Sequence, residues 1–142
     1  MTITQLCHPR TLAVAEAQHG FLQILPKLQH PCCRVFIATL AAGKNAASHA
    51  NLETTMTCLL LSGQLELEII YRQHQKLYQK VIEVHPMQYV LLPRKVWKKL
   101  HAISECQYII LCSHEYSANE YISAISDLPD IKADDFDFEV NI

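Results

Sequence analysis

Residues 43–63 read GKNAASHANLETTMTCLLLSG, and the rest of the chain can be understood outward from them. Gly43 is followed after five residues by His49, after one more by Asn51, after four by Met56 and after six by Gly63. Two of the three glycines in the chain therefore bracket the segment. Within it, Thr55–Leu61 is a run of β-branched and apolar side chains that stops at the turn pair Ser62-Gly63, as a strand does.

Downstream, Gln64–Arg72 alternates. Leu65, Leu67, Ile69 and Tyr71 fall on one face, with Glu66, Glu68 and Arg72 on the other. Gln73-His74-Gln75 is the predicted hairpin turn into a strand over Lys76–Val84, with His74 facing solvent. Gln88–Leu92 stops at Pro93, and Val96–His101 and Gln107–Cys112 are two further strands. Upstream, Cys33–Leu40 is another. Because no helices alternate with these strands, a barrel or sandwich is expected rather than an α/β sheet. Ser117 and Glu120 form an S-x-x-E capping box ahead of Tyr121, Ile122 and Ile125, which predicts a short C-terminal helix. The expected organisation is one domain over residues 1–128 and an acidic tail over 129–142. In that tail Phe136, Phe138 and Val140 alternate, so it reads equally as disordered or as an extended edge strand.

The 142 residues suit a single domain that buries about two-thirds of its unfolded surface. Half of them are apolar and 18% are charged, which excludes a disordered or fibrous chain. The net charge of −2 is unevenly spread: residues 127–142 carry six acids against Lys132 alone, so the remainder is weakly basic. Such a body does not predict nucleic-acid binding but suits a small phosphorylated ligand. No run of 18 apolar residues occurs, so no membrane span is expected. Met1–Arg10 lacks the pattern of a signal peptide, and a cytoplasmic location is expected. The six cysteines match neither a zinc ribbon nor a C-x-x-C pair, and Cys58 and Cys112, inside apolar runs, are expected in the core.

The spacing of residues 43–63 resembles the first cupin motif, G-x5-H-x-H-x3/4-E-x6-G. In the second, G-x5-P-x-G-x2-H, Pro93 is kept, while Met87 and Lys95 stand for the glycines and Lys98 for the histidine. The resemblance implies an all-β double-stranded β-helix, or jelly roll, whose motif side chains project into the barrel mouth. Asn51, Met56 and Lys98 stand where the cupins carry metal ligands. One imidazole, an amide, a thioether and an ammonium do not make a stable zinc or hard-metal site, so no metal is expected and metal-dependent oxygenase chemistry is disfavoured.

A longer stretch is similar to the WxcM-like (FdtA-type) sugar-nucleotide 3,4-ketoisomerases. The matching residues are His19-Gly20, Arg34-Val35-Phe36-Ile37, Ala46 through Asn51 and Ser62-Gly63. They continue with Pro93 through Lys98, Ser113 through Tyr116 and Tyr121-Ile122, in the same order from about Gln18 to Asp127. This resemblance implies conversion of a thymidine-diphosphate-linked 4-keto-6-deoxyhexose to its 3-keto isomer for surface polysaccharide. It also implies no cofactor, a nucleotide-linked sugar as partner, no nucleic acid or membrane, and a homodimer paired through its sheets.

A 3,4-keto shift needs a base for the proton α to the carbonyl, an acid for the neighbouring carbon, and donors for the oxygens. Imidazole suits such work because it titrates near neutral pH. On the resemblance, His49 is expected to be the remaining proton-transfer residue; the bland alternative is a hydrogen-bonded structural histidine. Arg34, Asn51, Lys98, Trp97 and His19 are expected around the substrate. Arg34 would grip a diphosphate or make a structural ion pair, and Asn51 would orient a sugar hydroxyl or stabilise a loop. Trp97 would stack on a base or sugar or fill the core, and Lys98, with a lowered pKa, would replace a lost histidine. Phe36 and Ile37 stand for the family's strand tyrosines, and Ala46 for an arginine. Each lost acid–base group typically costs about a hundred- to ten-thousand-fold in rate. A catalytically impaired cupin that binds a nucleotide sugar or a protein without turnover is therefore the second expectation.

Overall fold

The computed structural model describes residues 3–136, so the alternation at Phe138 and Val140 lies outside the described residues. A one-turn helix, α1 (Ile3–Leu6), precedes twelve strands. These are β1 (Arg10–Thr11), β2 (Ala13–Ala17), β3 (Gly20–Ile24), β4 (Arg34–Leu40), β5 (Asn45–Asn51) and β6 (Met56–Ser62). They continue as β7 (Leu65–Gln73), β8 (Lys76–Val84), β9 (Gln88–Leu92), β10 (Trp97–Ala102), β11 (Cys106–Cys112) and β12 (Tyr121–Ile122).

Ten strands make two antiparallel sheets, in the orders β1-β9-β6-β11-β4 and β12-β5-β10-β7-β8; among the described residues β2 and β3 pair only with each other. The two sheets close on one core. Leu65, Leu67, Ile69 and Tyr71 of β7 supply one wall, as their alternation predicts. Met56, Cys58, Leu60, Val90, Leu92, Tyr108 and Ile110 supply the facing wall, and Ile3 and Leu6 of α1 join the same cluster. This is the all-β jelly roll expected from the spacing of residues 43–63.

Turns are fixed by local chemistry. Gln73 pairs with Lys76, leaving His74 and Gln75 as a two-residue hairpin turn. Their φ values of 53° and 64° match the left-handed pair that a tight hairpin requires. At Gly63, φ is 89° and an added Cβ would lie 2.1 Å from the Glu105 carbonyl oxygen, so only glycine fits.

The short C-terminal helix is not formed. Ala118–Glu120 and Ile125–Asp127 are single 3-10 turns, and the Ser117 side chain caps nothing. Two tertiary interactions override the local signal. Tyr121 and Ile122 pair with Asn51 and Ala50 at the edge of β5, and the Glu120 side chain turns inward to Asn51. Beyond them Ile131 enters the core, and Asp135 is buried against Arg94 and Lys95, with Oδ1 at 2.7 and 2.8 Å.

The hairpin β2-β3 differs from the barrel. Val14, Phe21, Leu22 and Ile24 are exposed on it. Val35 and Ile37 are likewise exposed on β4, which is the outermost strand of its sheet among the described residues.

Candidate active site at the barrel mouth

A cavity of about 350 Å³ opens between the sheets. Arg34 and Phe36 of β4, His49 of β5, Lys98 of β10, and Tyr116 and Tyr121 line it, over an apolar floor that includes Met56, Leu100 and Ile110.

His49 is aimed by an irregularity in β5. Lys98 pairs with His49 but Lys99 with Ala47, so Ser48 is an extra residue forming a bulge. Ala47 and Ser48 take φ of 71° and 58°, a left-handed geometry that disfavours non-glycine residues by roughly 1–2 kcal/mol each. The kink brings the Ala47 carbonyl to 2.8 Å from His49 Nδ1. A carbonyl only accepts, so Nδ1 carries the proton and Nε2 keeps its lone pair. The ring stacks on Tyr121 with centroids 4.0 Å apart. Burial, and then the charge of Lys98, push the imidazole below its ordinary 6.5, against the opposing pull of the Ala47 carbonyl and Glu120. The result is a neutral, oriented base at neutral pH.

Lys98 is 4% exposed. Its Nζ donates to Asn51 Oδ1 at 2.7 Å and to the His49 carbonyl at 3.5 Å. Burial lowers its pKa to about 8, with Cys112 and Glu120 pulling the other way. Asn51, 1% exposed, donates through Nδ2 to Glu120 Oε1 at 2.6 Å. The Arg34 guanidinium lies 5.7 Å from the Phe36 ring centre and 5.4 Å from that of Tyr116. It donates to Cys112 Sγ, while its buried Nε has no hydrogen-bond partner among the described residues. Among the described residues it pairs with no carboxylate, which leaves donor capacity for an anionic ligand.

The structure thus gathers Arg34, His49 and Lys98 in one cavity, with Asn51 directly behind Lys98. Trp97 and His19 lie outside it. Trp97 packs with Ala50, Ile70 and Leu128 on the other face of its strand, and its indole N–H donates to the Ser123 carbonyl at 3.2 Å. His19 is exposed in the turn joining β2 to β3. Of the neighbouring lysines, Lys95 pairs with Asp135 and Lys99 lies 4.0 Å from Glu68. Among the described residues no three His, Cys, Asp or Glu side chains converge as metal ligands. Sequence reasoning missed Glu120, whose capping-box position pointed to a helix start instead. It also gave no site role to Tyr116 and Tyr121, although both stand in segments that carried the resemblance.

An antiparallel double sheet with a motif histidine projecting into its mouth is a cupin. Within that class, the chain belongs to the FdtA family (WxcM-like, C-terminal), whose family model matches residues 15–132. Among solved structures it is similar to a 3,4-ketoisomerase from Helicobacter canadensis, at 17% identity and TM-score 0.73, covering 84% of this chain and 92% of that one. It is also similar to the WlaRB TDP-quinovose 3,4-ketoisomerase of Campylobacter jejuni, at 16% identity and TM-score 0.71, covering 86% and 95%. A third is a variant of the 3,4-ketoisomerase QdtA from Thermoanaerobacterium thermosaccharolyticum in complex with TDP-4-keto-6-deoxyglucose. That pair shares 15% identity at TM-score 0.68, with coverage of 89% and 91%. No curated protein matches the sequence. No helix among the described residues is long and apolar enough to cross a membrane.

Proposed function

We propose that the protein is a metal-free, cytoplasmic 3,4-ketoisomerase of a thymidine-diphosphate-linked 4-keto-6-deoxyhexose destined for surface polysaccharide. The convergence of His49, Lys98 and Arg34 on one cavity carries this reading. His49 Nε2, free and neutral, takes the proton on C3, which the C4 carbonyl acidifies. The resulting imidazolium protonates O4. Lys98 delivers a proton to C4 and recovers one from the C3 hydroxyl as the C3 carbonyl forms, so both side chains return to their starting states. Arg34 holds the diphosphate with its spare donors, and Phe36 and Tyr116 wall the sugar.

The protein acts as a homodimer. The apolar hairpin β2-β3 and the open edge of β4 are covered by a second copy, since exposed sheet edges and apolar patches of this kind are otherwise aggregation sites. Incubation with TDP-4-keto-6-deoxyglucose in deuterated buffer, followed by proton NMR, tests the function. The expected result is deuterium at the exchanged ring carbons and appearance of the 3-keto isomer. Tight binding of the nucleotide sugar with neither change would leave a binding protein without turnover, which the untitratable amide at Asn51 would then explain.

A further inference from the structure

We propose that Glu120 is a positioning residue for Lys98, acting through Asn51 in a three-member buried relay; for the reaction it serves, this rests on the ketoisomerase reading. The three side chains come from separate segments, β10, β5 and the turn before β12, and meet end to end at 2.7 and 2.6 Å. Their polarity is fixed by what each group can do. A carboxylate only accepts and an ammonium only donates, so the amide between them must turn its NH₂ to Glu120 and its oxygen to Lys98. Rotating the amide would set acceptor against acceptor at one end and donor against donor at the other. Glu120 therefore fixes the orientation of Asn51, and Asn51 fixes the place of Nζ.

Glu120 cannot drift from this position. Its carbonyl accepts the Leu52 N–H at 2.9 Å, and the next residue, Tyr121, pairs with Asn51. It is 9% exposed and does not line the cavity, so it touches Lys98 only through the amide. Among the described residues Lys98 has no carboxylate of its own; its second acceptor, the His49 carbonyl, stands at 3.5 Å. An ammonium buried in this way is depleted of its proton unless a negative charge lies near. The titratable groups around it are His49 on β5, Cys112 and Tyr108 on β11, Arg34 on β4, Tyr71 on the same face of β7, and Tyr116, Glu120 and Tyr121 on the closing segment. Of these described groups Glu120 is the only carboxylate, and Cys112 is the other group whose negative charge would support the ammonium. The asparagine at the second histidine position of the motif thus conducts the influence of a charge it does not carry.

The test is a carbon NMR titration of the Lys98 side chain in full-length protein, assigned by its loss in Lys98→Met. In Glu120→Gln the Lys98 midpoint should fall by about one pH unit, and in Asn51→Leu the same Glu120 change should move it markedly less. With turnover measurable, Glu120→Gln should lower kcat about tenfold or more at little change in KM, and draw the alkaline limb of the pH profile downward. A Lys98 midpoint unchanged by Glu120→Gln in a folded variant, or an equal shift with and without Asn51, overturns the proposal. The titration needs no substrate, so it is decided even if the keto-shift assay fails.

Discussion

The barrel mouth and the β2-β3 hairpin depart from the usual sorting of residues in opposite directions. The mouth buries a lysine and a glutamate, whereas the hairpin leaves Phe21 72% exposed and the edge strand β4 leaves Ile37 71% exposed. Buried charge is retained only where it is hydrogen-bonded and useful, and large exposed apolar side chains only where something covers them. On the proposed function, one region is organised around a proton and the other around a second copy of the chain.

The comparison is broken most severely at the mouth. His49→Gln and Lys98→Met should each lower turnover by roughly a hundred- to ten-thousand-fold, read by the NMR assay, while the dimer persists. Changing the other region should do the converse. Phe21→Asp combined with Leu22→Asp should weaken self-association by about a hundredfold or more, since each apolar side chain contributes roughly 1.5–3 kcal/mol on burial. Sedimentation velocity reads this, and an unchanged dimer would show that the hairpin serves another purpose.

A third change sharpens the contrast within the barrel. Asp135→Asn should cost about 2 kcal/mol in denaturant unfolding, by stranding Arg94 and Lys95. Burial opposes ionisation of Asp135, but the Lys132 N–H, Lys95 and Arg94 outweigh it and hold the carboxyl below 3.8. Its stabilisation is therefore present above that value and lost as pH falls through the lower folded one. The smallest expected effect is on the pH profile. Activity should rise about tenfold per unit below the depressed imidazole value, itself under 6.5, and decline above about 8 as Lys98 loses its proton.

Much of the fold is readable because alternation and turns are local. β7 and the hairpin turn to β8 stand within a residue of their predicted limits. β5 is different: Asn-Ala-Ala-Ser-His-Ala-Asn has little β preference and is a strand because β10 and β12 pair with its two edges. Tyr121 and Ile122 lost their helical promise for the same reason. The site was half readable. The positions of His49, Asn51 and Lys98 follow from motif spacing and Arg34 from the matched strand, but Glu120 meets Asn51 across 69 residues of sequence, where no local pattern can announce it.

The kink at Ala47 and Ser48 sets robustness against output. Replacing both with glycine would relieve the left-handed strain, yet it would also loosen the carbonyl that holds the imidazole. A hardier protein with a wandering base is the foreseeable product, so efforts to toughen this scaffold are best directed away from that bend.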